Sequence, residues 1–171
     1  MERDPHVFSS YNPMGGPARF MIIGQNPGWD ELGASTPFVG AAGKNFDAEL
    51  TKSVWTRANF YITNAVKCFS PGNRPPTTQE AEACEPFLRM ELAILKPKLV
   101  IAFGSVAFSA LCEGGFSDRI GHITTSSKFG VRVFTTYHPS PRNLSNASRR
   151  KQFEHDIGVL VKIMNYFSSP F

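Results

Sequence analysis

Residues 19–28 read RFMIIGQNPG, a run of apolar side chains that ends in glycine and passes into a polar loop. A short apolar run bounded by glycine and proline is typical of a strand that is buried on both faces of a parallel sheet. The run therefore predicts a central strand over residues 19–24, followed by a loop that carries chemistry.

Three further segments repeat this pattern along the chain. Residues 60–65 read FYITNA, and residues 98–104 read KLVIAFG and again end in glycine. Residues 131–136 read VRVFTT and are rich in the β-branched and aromatic side chains that strands favour. The sequence thus predicts four strands.

Segments with helical spacing separate or follow these strands. They span residues 43–55, 78–95, 105–111 and 149–167. The apolar faces of the first two are expected to contain Phe46, Leu50, Val54, Ala83, Phe87, Met90 and Leu95. The alternation of strand and helix predicts an α/β fold, a three-layer α/β/α sandwich around a four-stranded parallel sheet.

The length and composition fit one domain over residues 1–171, because 42% of the residues are apolar. A net charge of +4 favours an anionic partner such as DNA, although charge alone does not establish one. No apolar run reaches about 18 residues, and the N-terminal MERDPHVFSS lacks the apolar core of a signal peptide. We therefore expect an intracellular protein, cytoplasmic or nucleoid-associated, without a membrane partner and monomeric.

Chemically distinctive residues follow three of the predicted strands. They are the loop at residues 24–28, Asn64, and the segment at residues 138–140. Ligands of open parallel sheets bind beyond the carboxyl ends of the strands, so these segments are expected to converge on one pocket.

Four segments of the chain resemble the uracil-DNA glycosylase superfamily, most closely the branch called family four. They are GQNPGWDELGASTPFVGAAG (24–43), YITNAVKC (61–68), NRPPTTQEAEACEPFL (73–88) and YHPSPRN (137–143). The resemblance implies a DNA repair hydrolase that flips uracil out of DNA and cuts its N-glycosidic bond, leaving an abasic site.

The resemblance also assigns roles to single residues. Phe38 would stack on the flipped base, although most phenylalanines are core packing. Asn64 would read the uracil edge, unless it only caps a turn. His138 would donate a hydrogen bond to the uracil O2 as negative charge develops there. The loop that pushes into the duplex would consist of Ser140, Pro141, Arg142 and Asn143. Arg142 could instead contact only phosphate.

The first loop departs from family four, which usually has Gly-Glu-Ala-Pro-Gly where this chain has Gly24-Gln25-Asn26-Pro27-Gly28. Asn26 stands where the classical branch has an aspartate that positions the attacking water, so we assign that role to Asn26, with Gln25 assisting through backbone contacts. Glu31 falls where family four carries a glutamate near the base, and is a second candidate for charge stabilisation beside uracil C5.

Two alternatives remain open at this point. Gly28 lies where the classical branch places a tyrosine that blocks the thymine methyl, so a broader glycosylase for thymine, ethenocytosine or hypoxanthine is possible. The second alternative is a catalytically silent DNA-binding relative, because neither Gln25 nor Asn26 is a carboxylate.

The number and spacing of the cysteines indicate whether the protein could hold an iron–sulfur cluster. Family-four proteins typically hold an iron–sulfur cluster on four cysteines. Cys68 and Cys84 match the second pair, as relict ligand positions, but no cysteine precedes residue 68, and Cys112 cannot replace a pair. The three cysteines contain no CxxC pair and predict neither a disulfide framework nor a metal site, so no cofactor is expected.

Overall fold

The computed structural model describes Asn12 and residues 18–168. The N-terminal segment MERDPHVFSS, which bears on the signal-peptide prediction, lies outside the described residues, as do residues 169–171. None of the helices in the described part is long and apolar enough to cross a membrane.

Strands and helices alternate through most of the described chain. The strands are β1 (Phe20–Gly24), β2 (Phe60–Asn64), β3 (Leu99–Phe103), β4 (Ile123–Thr125) and β5 (Arg132–Thr136). The helices are α1 (Trp29–Ala34), α2 (Ala41–Leu50), α3 (Thr78–Leu95), α4 (Gly104–Leu111), α5 (Pro141–Leu144) and α6 (Ala147–Ser168). All four predicted helical segments form helices, with boundaries that move by a few residues.

The strands form one sheet in the order β2-β1-β3-β5-β4. The four predicted strands pair in parallel, whereas β4 pairs antiparallel with β5 at the edge. The predicted count of four strands is therefore wrong by one. The cause is that β4 has only three residues and is largely exposed, so it has no apolar run that could identify it.

Both faces of the sheet are covered, as the three-layer prediction requires. Alternate side chains of β1 point to opposite faces, so Ile22 packs in one core cluster and Ile23 in the other. The first cluster includes Phe46 of α2 and Phe153 of α6, and the second includes Leu88 of α3 together with residues of α4. The strands β1, β2 and β3 are thus buried at every position, which explains why their sequences are mostly apolar.

Two details of the predicted helix faces are wrong. Helix α2 ends at Leu50, so Val54 lies beyond it and is 88% exposed. Helix α3 buries Cys84, Leu88, Leu92 and Leu95, whereas Phe87 and Met90 are exposed. The helix has two apolar stripes that differ by one position, or about 100° around its axis. The stripe with Phe87 and Met90 faces solvent, and the stripe with Cys84 and Leu88 packs against the sheet.

Candidate active site

The predicted pocket is centred on Gly24, the last residue of β1. In the parallel register Gly24 lies opposite Asn64, the last residue of β2. A Cβ atom added at Gly24 would lie 2.5 Å from Asn64 Oδ1 and 2.5 Å from Phe38 Cε2. The side chains of Asn64 and Phe38 therefore meet above this residue, and only glycine leaves them room.

Phe38 has an unusual backbone conformation for a bulky residue, with φ at 56°. The Arg57 guanidinium donates to the carbonyl of Pro37 at 3.2 Å and also to the carbonyl of Phe38. A Cβ at Gly43 would overlap the Phe38 carbonyl oxygen, so that glycine is required as well. Such strain persists only where the surroundings impose it, and it commonly marks a functional position.

The Phe38 ring borders both the core and the histidine loop. It is 5% exposed and belongs to the first core cluster, with its centroid 5.8 Å from that of Phe103. Its centroid also lies 5.7 Å from that of the His138 imidazole, at an interplanar angle of 35°. Core packing and participation in the site are thus combined in one side chain.

His138 follows β5, the strand next to β3, and burial lowers its pKa to about 4. The imidazole is therefore neutral near pH 7, with one N–H donor and no positive charge. Gly104 makes room for it, because an added Cβ there would lie 3.0 Å from His138 Cβ and the residue has φ at 86°.

The loop that carries His138 is fixed by two asparagine side chains. Asn143 Nδ2 donates to the His138 carbonyl at 3.1 Å, and Asn45 Nδ2 of α2 donates to the Pro139 carbonyl at 2.8 Å. These bonds hold the backbone on both sides of the imidazole, so the ring has a defined place relative to Phe38.

Asn64 is 5% exposed, yet no hydrogen bond from another residue to its carboxamide is found within residues 18–168. Its backbone, in contrast, is held firmly, since Lys67 Nζ donates to the Asn64 carbonyl at 2.9 Å. Among the described residues only Thr135 Oγ1 is a fully buried side-chain polar atom without a partner, so the carboxamide atoms of Asn64 keep some access to solvent and can bind a ligand that reaches them. The arrangement favours a base-reading role over the alternative of a turn cap.

Lys67 is itself buried and forms an ion pair with Glu91 of α3 at 2.6 Å. The ammonium also donates to Thr63 Oγ1 at 2.7 Å, while Tyr61 and Thr63 donate to the Glu91 carboxylate. Desolvation lowers the pKa of Lys67, and the Glu91 carboxylate opposes that shift. The network ties the end of β2 to α3.

The first loop continues the pairing of β1 and β2 beyond the strand ends. Ala65 N–H donates to the Gly24 carbonyl and Val66 N–H donates to the Gln25 carbonyl, each at 3.0 Å. Asn26 is half-buried, and its Nδ2 donates to the Pro27 carbonyl at 3.1 Å. No donor in the described chain reaches Asn26 Oδ1, which therefore has the capacity to accept from water.

Glu31 connects the first loop to the loop after Phe38. Its carboxylate accepts from the Gly28 N–H and from the Gly40 N–H, each at 3.0 Å. A Cβ at Gly28 would lie 2.7 Å from Glu31 Oε2, so the glycine is explained by this contact. Both carboxylate oxygens are engaged, which favours a structural role for Glu31 over the expected contact with uracil.

The predicted insertion loop forms the short helix α5. Ser140 caps it by accepting from the Asn143 N–H, and Pro141 occupies its first turn. The Asn143 side chain is engaged within the protein, since its Oδ1 accepts from Arg149 at 3.2 Å. Pro141 and Arg142 are exposed, so of the four predicted DNA-contacting residues these two are the most accessible.

The cysteines do not fit a four-thiolate cluster. Cys68 is half-buried, and the buried Cys84 accepts from the Lys67 N–H at 3.3 Å. Cys112 lies at the end of α4, where burial raises the pKa of its thiol. Among the described residues no group of three or more His, Cys, Asp or Glu side chains could hold a metal ion, and the sequence has only three cysteines in all.

The structure thus brings Phe38, Asn64 and His138 together, with Gln25 and Asn26 directly after Gly24. Sequence reasoning named Gly24 only as the start of the first loop, and it missed the other residues that hold the site, which are Gly43, Asn45, Arg57, Lys67 and Gly104. The glycines and Lys67 lie within or next to the motifs and predicted strands, and this position in the sequence could have identified them. Arg57 and Asn45 carry no such sequence signal, because their partners are backbone carbonyls in other segments.

Known proteins match this chain over most of its length. The model of the family described as the uracil DNA glycosylase superfamily matches residues 13–158. The Type-4 uracil-DNA glycosylase of Pyrobaculum aerophilum is 37% identical over 147 residues, covering 81% of this chain and 74% of the relative. That of Thermotoga maritima is 36% identical over 136 residues, covering 77% and 71%. The Type-5 uracil-DNA glycosylase of Pyrobaculum aerophilum is 41% identical over 87 residues, covering 50% and 38%.

Proposed function

The chain belongs to the uracil DNA glycosylase superfamily, and from this we propose that it excises uracil from DNA by hydrolysis of the N-glycosidic bond. The observation that carries the proposal is the meeting of Phe38, Asn64 and His138 around Gly24. The pocket combines an aromatic ring, an amide without protein partners and a neutral imidazole, which are the groups that a flipped uracil requires.

Recognition of the base rests on Asn64. Its carboxamide accepts from uracil N3–H and donates to O4, whereas cytosine presents the opposite pattern at these two atoms. Phe38 stacks against the base, and the strained backbone that Arg57 imposes keeps the ring in place.

Bond cleavage leaves an electron-poor sugar and a uracil anion. The neutral His138 donates an N–H to uracil O2, where negative charge develops, and its low pKa keeps this donor uncharged at working pH. Asn26 Oδ1 accepts from the attacking water and orients it toward the sugar carbon, with Gln25 holding the adjacent backbone. An amide cannot take the proton as a carboxylate would, so the chemical step is slower than with aspartate at this place.

The DNA contacts of the proposal come from the α5 loop. Pro141 and Arg142 enter or border the duplex beside the extruded nucleotide, while Ser140 and Asn143 shape the loop from within. We further propose that the protein acts inside the cell, on its DNA, as a monomer and without a cofactor. The absence of an iron–sulfur cluster is proposed because such a cluster takes four cysteines and this sequence has three.

The test is a cleavage assay with a labelled oligonucleotide that contains a single uracil, followed by alkali to cut the abasic site. Matched oligonucleotides with mispaired thymine, ethenocytosine or hypoxanthine test the broader glycosylase, which no relative named above supports. We expect strong cleavage at uracil only. Absence of cleavage together with tight DNA binding would instead identify the catalytically silent relative.

A variant sharpens this test. Asn64→Asp is expected to weaken uracil excision and to admit cytosine, because a carboxyl oxygen accepts from the cytosine amino group where the amide N–H₂ opposes it. Asn59→Asp is the matched control, since Asn59 is exposed and caps a turn away from the pocket. Unchanged uracil kinetics in Asn64→Asp would show that Asn64 has only a structural role.

A further inference from the structure

An aromatic pair lies on the surface beside the pocket. The indole of Trp29 stacks on the ring of Phe69, with the centroids 4.9 Å apart and the planes 9° from parallel. Trp29 is 72% exposed and Phe69 is half-buried. One face of the indole is therefore supported by Phe69, and the other is open to solvent.

The pair is attached to both loops that form the pocket. Trp29 follows Gly28 directly and is three residues after Asn26, so their Cα atoms are at most about 11 Å apart. Phe69 is five residues after Asn64. Glu31 of the same short helix bonds to the Gly28 and Gly40 N–H groups, which fixes the helix against the loop that carries Phe38. The indole thus has a rigid position relative to the base pocket.

The first turn of α1 carries negative charge next to the indole in sequence. Asp30 and Glu31 share this turn with Trp29, and their carboxylates make the turn a poor place for a phosphate. The flat face of a nucleobase is uncharged, and stacking on an aromatic side chain is the way proteins commonly hold unpaired bases. An exposed, supported indole therefore fits a base better than it fits the DNA backbone.

We propose that the Trp29–Phe69 pair is a stacking platform for an unpaired base next to the uracil in single-stranded DNA. The proposal rests on the proposed function, because the uracil-containing strand supplies the base. In a duplex the neighbouring bases remain stacked on each other, so the platform contributes to binding of single strands and much less to binding of duplex DNA.

Tryptophan fluorescence tests the contact directly. The sequence has two tryptophans, and Trp55 is the other one, packed edge-on against Phe20 with its Nε1 donating to Asn165. Trp55→Phe leaves Trp29 as the sole tryptophan, so emission excited at a wavelength that the tyrosines do not absorb comes from Trp29 alone. A single-stranded oligonucleotide carrying 2′-fluorinated deoxyuridine, whose electron-poor sugar resists loss of the base, should quench this emission on binding.

Affinity measurements test the energetic consequence. Stacking on an aromatic side chain contributes roughly 1–3 kcal/mol per base, so Trp29→Ala should weaken single-strand binding by about 5- to 150-fold. Duplex binding should weaken far less. Val54→Ala is the matched control, because Val54 is an 88% exposed apolar residue in a different loop, and it should leave both affinities and excision unchanged.

Base-free spacers locate the stacked base. Replacing the nucleotide on the 5′ or the 3′ side of uracil by an abasic spacer should lower wild-type affinity at one of the two positions only, and Trp29→Ala should be insensitive to that spacer. Unchanged Trp29 emission at saturating DNA, while the protein still excises uracil, would overturn the platform and leave the proposed function intact. A wild-type protein that neither binds nor cleaves the uracil oligonucleotide would overturn both.

Discussion

At the scale of single residues, the proposed catalytic role of His138 can be tested by removing its imidazole. Removing a donor that acts only on developing charge commonly costs about 10²- to 10³-fold in rate, so His138→Ala should show this loss in single-turnover excision, with far less change in DNA affinity. His155→Ala is the control, because His155 is exposed on α6. Normal single-turnover excision by His138→Ala would remove it from the catalytic residues.

The lowered pKa of His138 adds a pH test. With a pKa of about 4 the imidazole is neutral at every pH above about 5, so the excision rate should be level between pH 5 and 8 and should fall only as the pH approaches 4. A rate that declines as the pH rises from 5 to 7 would mean that a protonated imidazole acts, contrary to the proposed mechanism.

Asn26 offers a test in which activity is gained. Asn26→Ala should slow excision without preventing capture of the base, because Phe38 and Asn64 remain. Asn26→Asp should preserve or raise the rate, since a carboxylate at this place both orients and activates water, and the rate should then depend on an ionisable group that must be deprotonated. Single-turnover rates across a range of pH measure both effects.

The two Asn26 variants also show whether Asn26 or a neighbouring residue positions the water. If Asn26 only holds the loop, the new charge hinders approach of anionic DNA and opposes the uracil anion. A large loss in Asn26→Asp beside near-normal Asn26→Ala would therefore refute the assignment and move water positioning to Gln25 or Glu31.

At the scale of elements, the Lys67–Glu91 pair connects β2 to α3 and holds the Asn64 carbonyl. Removing one partner of a buried ion pair commonly costs about 3–5 kcal/mol. Glu91 is half-buried and keeps its bonds from Tyr61 and Thr63, so Lys67→Met should lower the free energy of unfolding by an amount at the lower end of this range, about 3 kcal/mol. Urea denaturation measures this, and Lys52→Met, which breaks an exposed pair, should change stability little.

The same variant tests how Asn64 is positioned. At temperatures where Lys67→Met is folded, its preference for uracil-containing over undamaged DNA should decrease, since Asn64, for which we propose the base-reading role, has lost its backbone anchor. Affinity for undamaged DNA should not change. Retained preference would show that the network stabilises the fold without tuning recognition.

The elements also explain which parts of the fold the sequence predicts. β1, β2, β3 and β5 are buried except for Arg132 at the start of β5, so their sequences are mostly apolar or β-branched and each is recognisable alone. β4 forms because β5 offers it an edge, a cause that lies outside its own three residues. The buried stripe of α3 was likewise decided by the sheet it packs on, since Phe87 and Leu88 are equally apolar.

At the scale of the whole molecule, topology predicted the meeting of the site residues before any side chain was placed. Parallel strands end at one edge of the sheet, which is why Gly24 and Asn64 adjoin and the loop after β5 reaches Phe38. The supporting contacts could not be predicted in this way. Asn45 and the Pro139 carbonyl are 94 positions apart, and neither carries a local pattern that names the other.

Asp156 connects the closing helix to the sheet and makes stability depend on pH. This buried side chain of α6 accepts from Thr136 of β5 at 2.7 Å and from Gln152 at 2.7 Å. Desolvation raises its pKa above the ordinary 3.8, while its hydrogen bonds and the nearby His122 and His155 act against the shift. Between the ordinary aspartate pKa and the raised one, the folded state therefore keeps a proton that the unfolded chain has already lost.

The sign of the effect follows from this proton. Below the ordinary aspartate pKa both states are protonated, and as the pH rises towards the raised pKa the folded state is progressively disfavoured. Asp156→Asn removes the titration and keeps the shape, so its free energy of unfolding relative to the wild type should increase with pH across that window. Urea denaturation of both proteins from pH 4 to 8 measures the difference, in which the contribution of His138 cancels. Parallel stability curves would show that Asp156 ionises as readily in the folded protein as in the unfolded chain.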